Sequence, residues 1–217
     1  MTVYRIPENL KTIIFDIDGT LYKNDEYVNE QIDSQIRAFA QSRNFSNEKA
    51  RQMVNSYREE WAKLHDGKRP SLNNALHDMG VQTDEIIAWR KELTHPENYL
   101  SFDEALADSL KELAAVYRLL CITNNPASIG RKTLEILGAQ PFISEIIGFD
   151  TCKTAKPDPK VFELALKRAA TPVEQCISVG DRYDIDIAIP LAMGMGGILV
   201  SGVQDVYKLK NVLELTR

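Results

Sequence analysis

Two aspartates one residue apart, Asp16 and Asp18, follow directly on a short apolar run, Thr12–Phe15. An extended backbone aims alternate side chains the same way, so both carboxylates would face one site. Such a pair attracts a hard divalent cation, and magnesium is satisfied by a few carboxylates plus substrate phosphate. Gly19 permits a sharp turn out of the strand. Taken alone, the D-x-D pattern fits a solvated surface turn as well as a metal site.

Three later segments repeat the arrangement of an apolar run ending in reactive groups. Arg118–Ile122 leads into Thr123, Asn124 and Asn125, a hydroxyl and amides beside an expected helix start, which suits phosphate oxygens. Lys156 precedes Pro157 and Pro159, whose stiff backbone positions a cation to offset phosphate charge. Cys176–Val179 ends in Gly180-Asp181-Arg182-Tyr183-Asp184-Ile185-Asp186, with three acids in six positions. Singly, each has an ordinary reading as a cap, a surface charge or a dipole partner. Together, successive strands end in acid, hydroxyl, cation and acid, and ligands of open parallel sheets bind at that edge.

The elements that must position these groups are legible as well. Thr12–Phe15, Arg118–Ile122, Glu145–Gly148, Cys176–Val179 and Gly197–Val200 are apolar runs separated by helical patterns. Their continuous apolarity fits a parallel sheet covered on both faces. Helix starts are expected at a capping box beginning at Ser101, at Asn125-Pro126, at Asp158-Pro159 and at Thr171-Pro172. Pro190 falls inside the expected helix 185–192 and marks a late start or a kink. Gly194-Met195-Gly196-Gly197 reads as a helix stop, because Leu199 breaks the dinucleotide pattern and the order helix-then-strand is wrong for phosphate.

Residues 22–95 contain no strand pattern but several amphipathic segments, through Ile36, Tyr57, Leu76 and Ile86 among others. A stretch of that length is not a plain loop. The expected fold is therefore a three-layer, Rossmann-like α/β core (residues 1–21 and 96–217) with an inserted all-α cap (22–95). Tyr57, Trp61 and Trp89 read as core aromatics. Arg58, Lys63, Lys68, Arg69, Arg90 and Lys91 read for the most part as a solvated helix face.

Composition narrows the class. The 217 residues are 44% apolar, 26% are charged, and the net charge is −5. That balance gives no pull toward nucleic acid or anionic membrane. Met1–Leu10 lacks an apolar signal stretch, and no run is long enough to span a bilayer. Cys121, Cys152 and Cys176 form no C-x-x-C pair, so a reducing, cytoplasmic setting is expected. Cys121 and Cys176 read as small core residues. His65, His77 and His95 have no metal-ligand spacing.

At its four strand-end motifs the chain resembles the haloacid dehalogenase (HAD) superfamily, in the phosphatase branch whose α-helical cap is inserted after the first motif (subfamily IA-like). The matching residues are Asp16-Ile17-Asp18-Gly19-Thr20, Thr123-Asn124, Lys156, and Gly180-Asp181 with Asp186, in family order. The resemblance implies that Asp16 is the nucleophile and that Asp18 protonates the leaving oxygen and then activates water. It implies that Thr123, Asn124 and Lys156 serve the phosphoryl group. Asp16 and Asp181 would bind Mg2+ through side chains and Asp18 through its carbonyl, with Asp186 or Asp184 nearby. The substrate would be a small phosphorylated metabolite: a sugar phosphate, phosphoglycolate or a nucleoside monophosphate. The dehalogenases lack the second aspartate, so Asp18 disfavours dehalogenation. The alternatives are a phosphomutase with the same residues and a non-catalytic phosphate-binding regulator. A receiver domain fits poorly, since its acidic pair and phosphorylated aspartate lie on different strands. A monomer and a homodimer both fit.

Overall fold

The computed structural model describes residues 1–214. Six strands form one sheet: β1 (Thr2–Arg5), β2 (Thr12–Phe15), β3 (Arg118–Ile122), β4 (Glu145–Ile147), β5 (Cys176–Gly180) and β6 (Gly196–Leu199), in the order β1-β6-β5-β2-β3-β4. The five expected runs form β2–β6 and pair in parallel. β1 was not expected as a strand. It pairs antiparallel with β6 at the sheet edge, so the sheet is mixed rather than purely parallel. Its signal is the polar–apolar alternation of the first residues, which fits a strand exposed along its length.

The chain divides into two compact units, one built from Met1–Asn24 with the chain from Pro96 onward, the other from Asp25–His95. The second unit is helical: α1 (Asp25–Ser42), α2 (Asn47–Leu64), α3 (Leu72–Asp78) and α4 (Thr83–Leu93). Within it α1 packs on α2 and α4, and α3 on α2 and α4. Ser46 and Ser71 cap α2 and α3 through their hydroxyls. Tyr57, Trp61 and Trp89 are half-buried rather than core, and Leu64 is exposed at the end of α2. Arg90 departs from the expected solvated face. It is buried, and its Nε donates to Asn73 Oδ1 at 2.7 Å.

In the first unit, α5 (Glu104–Ala114), α6 (Ala127–Leu137), α7 (Phe149–Cys152), α8 (Pro159–Ala169), α9 (Ala188–Met193), α10 (Val203–Val206) and α11 (Leu209–Glu214) follow the strands. Ile14, Leu120, Ile122 and Ile147 of the sheet pack with Val161, Phe162 and Ala165 of α8 in one cluster. The pleat sends Ile13, Phe15, Leu119 and Cys121 to the opposite face, and these are buried too. There α5 contacts β3, and α6 contacts both α5 and β4, completing the three layers. Asn24 Nδ2 donates to the Tyr99 carbonyl at 2.9 Å, tying together the two points where the chain leaves this unit and returns to it. No described helix is long and apolar enough to cross a membrane.

Several helix starts differ from expectation. The cap of α5 is Asp103, whose Oδ1 accepts from Leu106 N–H at 2.9 Å, rather than Ser101. Thr171-Pro172 precedes only a single 3-10 turn, Val173–Gln175, and Thr171 pairs its hydroxyl with Thr12 instead. Asp158 caps α8 ahead of Pro159 as expected. Pro190 lies in the first turn of α9, where its missing N–H costs nothing, so the late start holds; Tyr183–Ile187 before it forms a π-turn. Gly194 ends α9 with positive φ.

Phe162 is fully buried between α8 and the sheet. Phe162→Ala is expected to lower unfolding stability by about 3–5 kcal/mol in urea denaturation, with the folded-state far-UV spectrum unchanged.

Candidate active site

The strand-end residues converge on the carboxyl edge of β2, β3 and β5. Asp16 leaves β2 as the backbone turns: Thr20 and Leu21 N–H both donate to the Ile17 carbonyl, and Gly19 takes φ +85°. Glycine is required there twice over. A side chain would be strained at that φ, and its Cβ would come 2.5 Å from Asp181 Oδ2. A Cβ at Gly180 would likewise collide with the side chain of Asp186. Gly19 therefore lets the first and last acidic loops approach closely, and Gly180 lets Asp186 fold back within its own loop.

Lys156 Nζ donates to Asp16 Oδ1 at 2.5 Å and to Asp186 Oδ1 at 2.6 Å. All three residues are almost fully buried, at 3% exposure for Lys156, 8% for Asp16 and 2% for Asp186. Thr20 Oγ1 donates to the other oxygen of Asp16 at 3.1 Å. Asp186 is held by the Arg182 N–H at 3.1 Å, while its carbonyl accepts from Ser178 Oγ at 2.7 Å. The Lys156 backbone is fixed from β3: its N–H donates to Asn124 Oδ1 at 2.8 Å, and Asn124 Nδ2 returns a bond to its carbonyl at 3.2 Å. The Lys156–Pro157 peptide is cis.

Asp18 has a separate set of partners. Tyr22 Oη donates at 2.6 Å, Thr123 Oγ1 at 3.1 Å, and Asn125 Nδ2 at 3.2 Å to each carboxylate oxygen. The carboxylate is thus aimed by two hydroxyls and an amide. Asn125, expected as a helix cap, is a partner of Asp18 instead. Its backbone N–H donates to Thr123 Oγ1 at 3.0 Å. The first N–H of α6 (Ala127) goes to Asp150 Oδ1 at 2.8 Å, so the chain's own carboxylate takes the role expected of Asn125.

Carboxylate oxygens of Asp16, Asp181 and Asp186 come within 4.8 Å of one another. Of the two later acids it is Asp186 that joins this cluster. Asp184 is turned to an ion pair with Arg182 at 2.8 Å, on a partly exposed face. Burial pushes the Asp16 carboxyl well above the usual range; Lys156 opposes this, and Asp186, Asp181 and Asp18 add to it. Burial and Asp186 push Asp181 up to about 6, against the pull of Lys156 and Arg182. Burial works against the Lys156 ammonium, but Asp16 and Asp186 outweigh it and hold the amine protonated. The cluster thus carries more negative charge than its one ammonium offsets. All its donors are hard oxygens, which fits a divalent cation of the magnesium type.

The structure brings together the expected Asp16, Asp18, Thr123, Asn124, Lys156, Asp181 and Asp186, and adds a role for Thr20, which the first motif contains, and for Tyr22, Ser178 and Asn125. Thr20 and Tyr22 each stand four residues after the aspartate they serve, a spacing that marks them once the turn at Gly19 is recognised.

Lys156→Met removes the cation and leaves Asp16 and Asp186 buried face to face. In the presence of a chelator it is expected to destabilise the fold by about 3–5 kcal/mol in denaturant titration. Adding Asp16→Asn to that variant is expected to restore part of the loss.

Comparison with known proteins agrees with this geometry. A family model described as haloacid dehalogenase-like hydrolase matches residues 10–194. The chain is 25% identical over 227 residues to the 5-amino-6-(5-phospho-D-ribitylamino)uracil phosphatase YigB of Escherichia coli, covering 95% of this chain and 87% of that one. It is 26% identical over 208 residues to the glyceraldehyde 3-phosphate phosphatase of Methanocaldococcus jannaschii, with 92% and 87% covered. The pyrophosphatase PpaX of Listeria monocytogenes is 24% identical over 178 residues, 80% and 76% of the two chains. Among solved structures, a HAD phosphatase from Thermococcus onnurineus superposes with a TM-score of 0.62 at 19% identity, over 94% of this chain and 98% of that one. A 2-haloacid dehalogenase from Pseudomonas syringae does so at 0.59 and 20%, over 96% and 100%, so the fold alone does not choose the reaction.

Proposed function

Because the chain belongs to the haloacid dehalogenase-like hydrolase family, we propose that it is a magnesium-dependent phosphatase acting on a small phosphomonoester through an aspartyl-phosphate on Asp16. The observation that carries this reading is the carboxylate of Asp18, aimed by Tyr22, Thr123 and Asn125 beside the charge cluster around Asp16. A hydrolase that must protonate an alkoxide and later activate water needs such a group, and the dehalogenases of the superfamily lack this second aspartate.

In the first step an Asp16 oxygen forms a bond to phosphorus as the bond to the leaving oxygen breaks. The Asp18 carboxyl gives its proton to that oxygen. In the second step water attacks phosphorus, Asp18 takes its proton, and Asp16 is released with inorganic phosphate. Dividing the displacement in two replaces one difficult attack by two easier ones. Lys156 and Thr123 hold the phosphoryl oxygens, and catalysis then rests on position and charge. Asp16 and Asp181 side chains with the Asp18 carbonyl would hold magnesium, Asp186 lying beside them, and the bound ion would neutralise charge on the phosphoryl group. Names of the relatives, a phosphorylated ribitylaminouracil and glyceraldehyde 3-phosphate among them, support a small phosphorylated metabolite as substrate. The helical unit Asp25–His95 is read as the family's cap.

The wild type is expected to hydrolyse p-nitrophenyl phosphate only with magnesium, and Asp16→Asn to abolish turnover. Metal-dependent hydrolysis surviving in Asp16→Asn would refute the assignment. Asp18→Asn is expected to lower kcat by about 10²–10⁴-fold, the usual contribution of a positioned acid–base group, measured under saturating substrate.

A further inference from the structure

Lys23 follows directly on the turn that carries Asp18 and Tyr22, and it has no hydrogen-bond or ion-pair partner among the described residues. Its aliphatic stem lies along Gly202, where a Cβ would come 3.3 Å from Lys23 Cδ. Gly202 in turn faces the Gly19 carbonyl, 3.9 Å from that same Cβ position, and Gly19 packs against the carboxylate of Asp181. Gly202 and Gly19 therefore lie between the Lys23 stem and the acidic cluster.

Beside Lys23 and Gly202 is a cavity of about 520 Å³ lined by Lys23, Ser201, Gly202, Val203, Gln204 and Asp205. It belongs to the sheet edge at which β6 ends, the same edge that carries Asp16 and Asp181. The one carboxylate in its wall is engaged, since Asp205 Oδ2 accepts from Ser201 N–H at 2.8 Å and meets the Met1 ammonium at 2.9 Å. Lys23 is then the uncompensated charge of the cavity, flanked by the Ser201 hydroxyl and the Gln204 amide as hydrogen-bonding groups.

We infer that this cavity is a second anion subsite, in which Lys23 recognises a carboxylate or second phosphate on the leaving group of the substrate. The inference deepens the phosphatase reading and rests on it. It narrows the substrate class to phosphomonoesters that carry a further negative charge. An ammonium on a stem laid along a glycine is positioned at little entropic cost, and an exposed cation of this kind adds selectivity that salt weakens.

The test uses the full chain carrying Asp16→Asn, so that binding is read without turnover, and two ligands that differ in one carboxylate, 3-phosphoglycerate and glycerol 3-phosphate. Titration calorimetry with magnesium present is expected to give about fivefold tighter binding of the phosphoglycerate, the upper end of what one solvent-facing ion pair contributes. That preference should vanish in Lys23→Met, persist in Lys23→Arg, and shrink as ionic strength rises. Equal binding of the two ligands, or a preference that survives Lys23→Met, overturns the subsite and leaves the phosphatase reading intact. Failure of both ligands to bind overturns the phosphate site itself, and the subsite with it.

Discussion

The ammonium of Lys156 lies between the carboxylates of Asp16 and Asp186, all three nearly sealed from water. Isolated charges at such depth are prohibitively costly, and a pair survives only when its geometry and remaining hydrogen bonds are satisfied. Much of the surrounding structure meets that demand. Thr20 takes the free oxygen of Asp16, Arg182 N–H that of Asp186, and Asn124 pins the lysine backbone from the neighbouring strand. Even so, the ammonium offsets only part of the negative charge gathered there. Burial is the main reason that Asp16 and Asp181 hold a proton more tightly than usual, and the neighbouring carboxylates add to it.

The different tasks proposed for Asp16 and Asp18 follow from their neighbours rather than from their identity. Both are aspartates on one turn, but one faces a cation and further acids and the other faces hydroxyls and an amide. Two like groups a residue apart thereby acquire different electrostatic surroundings, as acid–base chemistry at neutral pH requires. The bonds from Thr123 and Asn125 come from β3 and its following loop, so the distinction depends on the register of β2 against β3.

Much of this was legible in the sequence because the information is local. A strand covered on both faces must be continuously apolar, so the ends of β2, β3 and β5 could be located, and with them Asp16, Thr123 and Asp181. The failures are non-local. Whether Asn125 or Asp150 caps α6 depends on which side chain reaches Ala127 N–H, and Asp150 does so from 23 residues away. Asp103 wins over Ser101 within one short polar stretch because only it lies in reach of Leu106 N–H. β1 is four residues long, and its alternation becomes a strand only because β6 offers it an edge. Arg90 lies among charged residues in sequence, yet Asn73 draws it inside.

The hydrogen bond from Asn24 to the Tyr99 carbonyl bears on how such a chain can change over time. It fastens the departing and returning segments of the sheet unit to each other, so the ends of whatever runs between them are already brought together. Closing a loop costs little more as it lengthens once its ends are held, the penalty growing only with the logarithm of length. The segment between these two residues can then be replaced, lengthened or pared down without asking the chemical half of the molecule to refold around it. A chain organised in this way can exchange one contiguous module while the sheet unit keeps its fold.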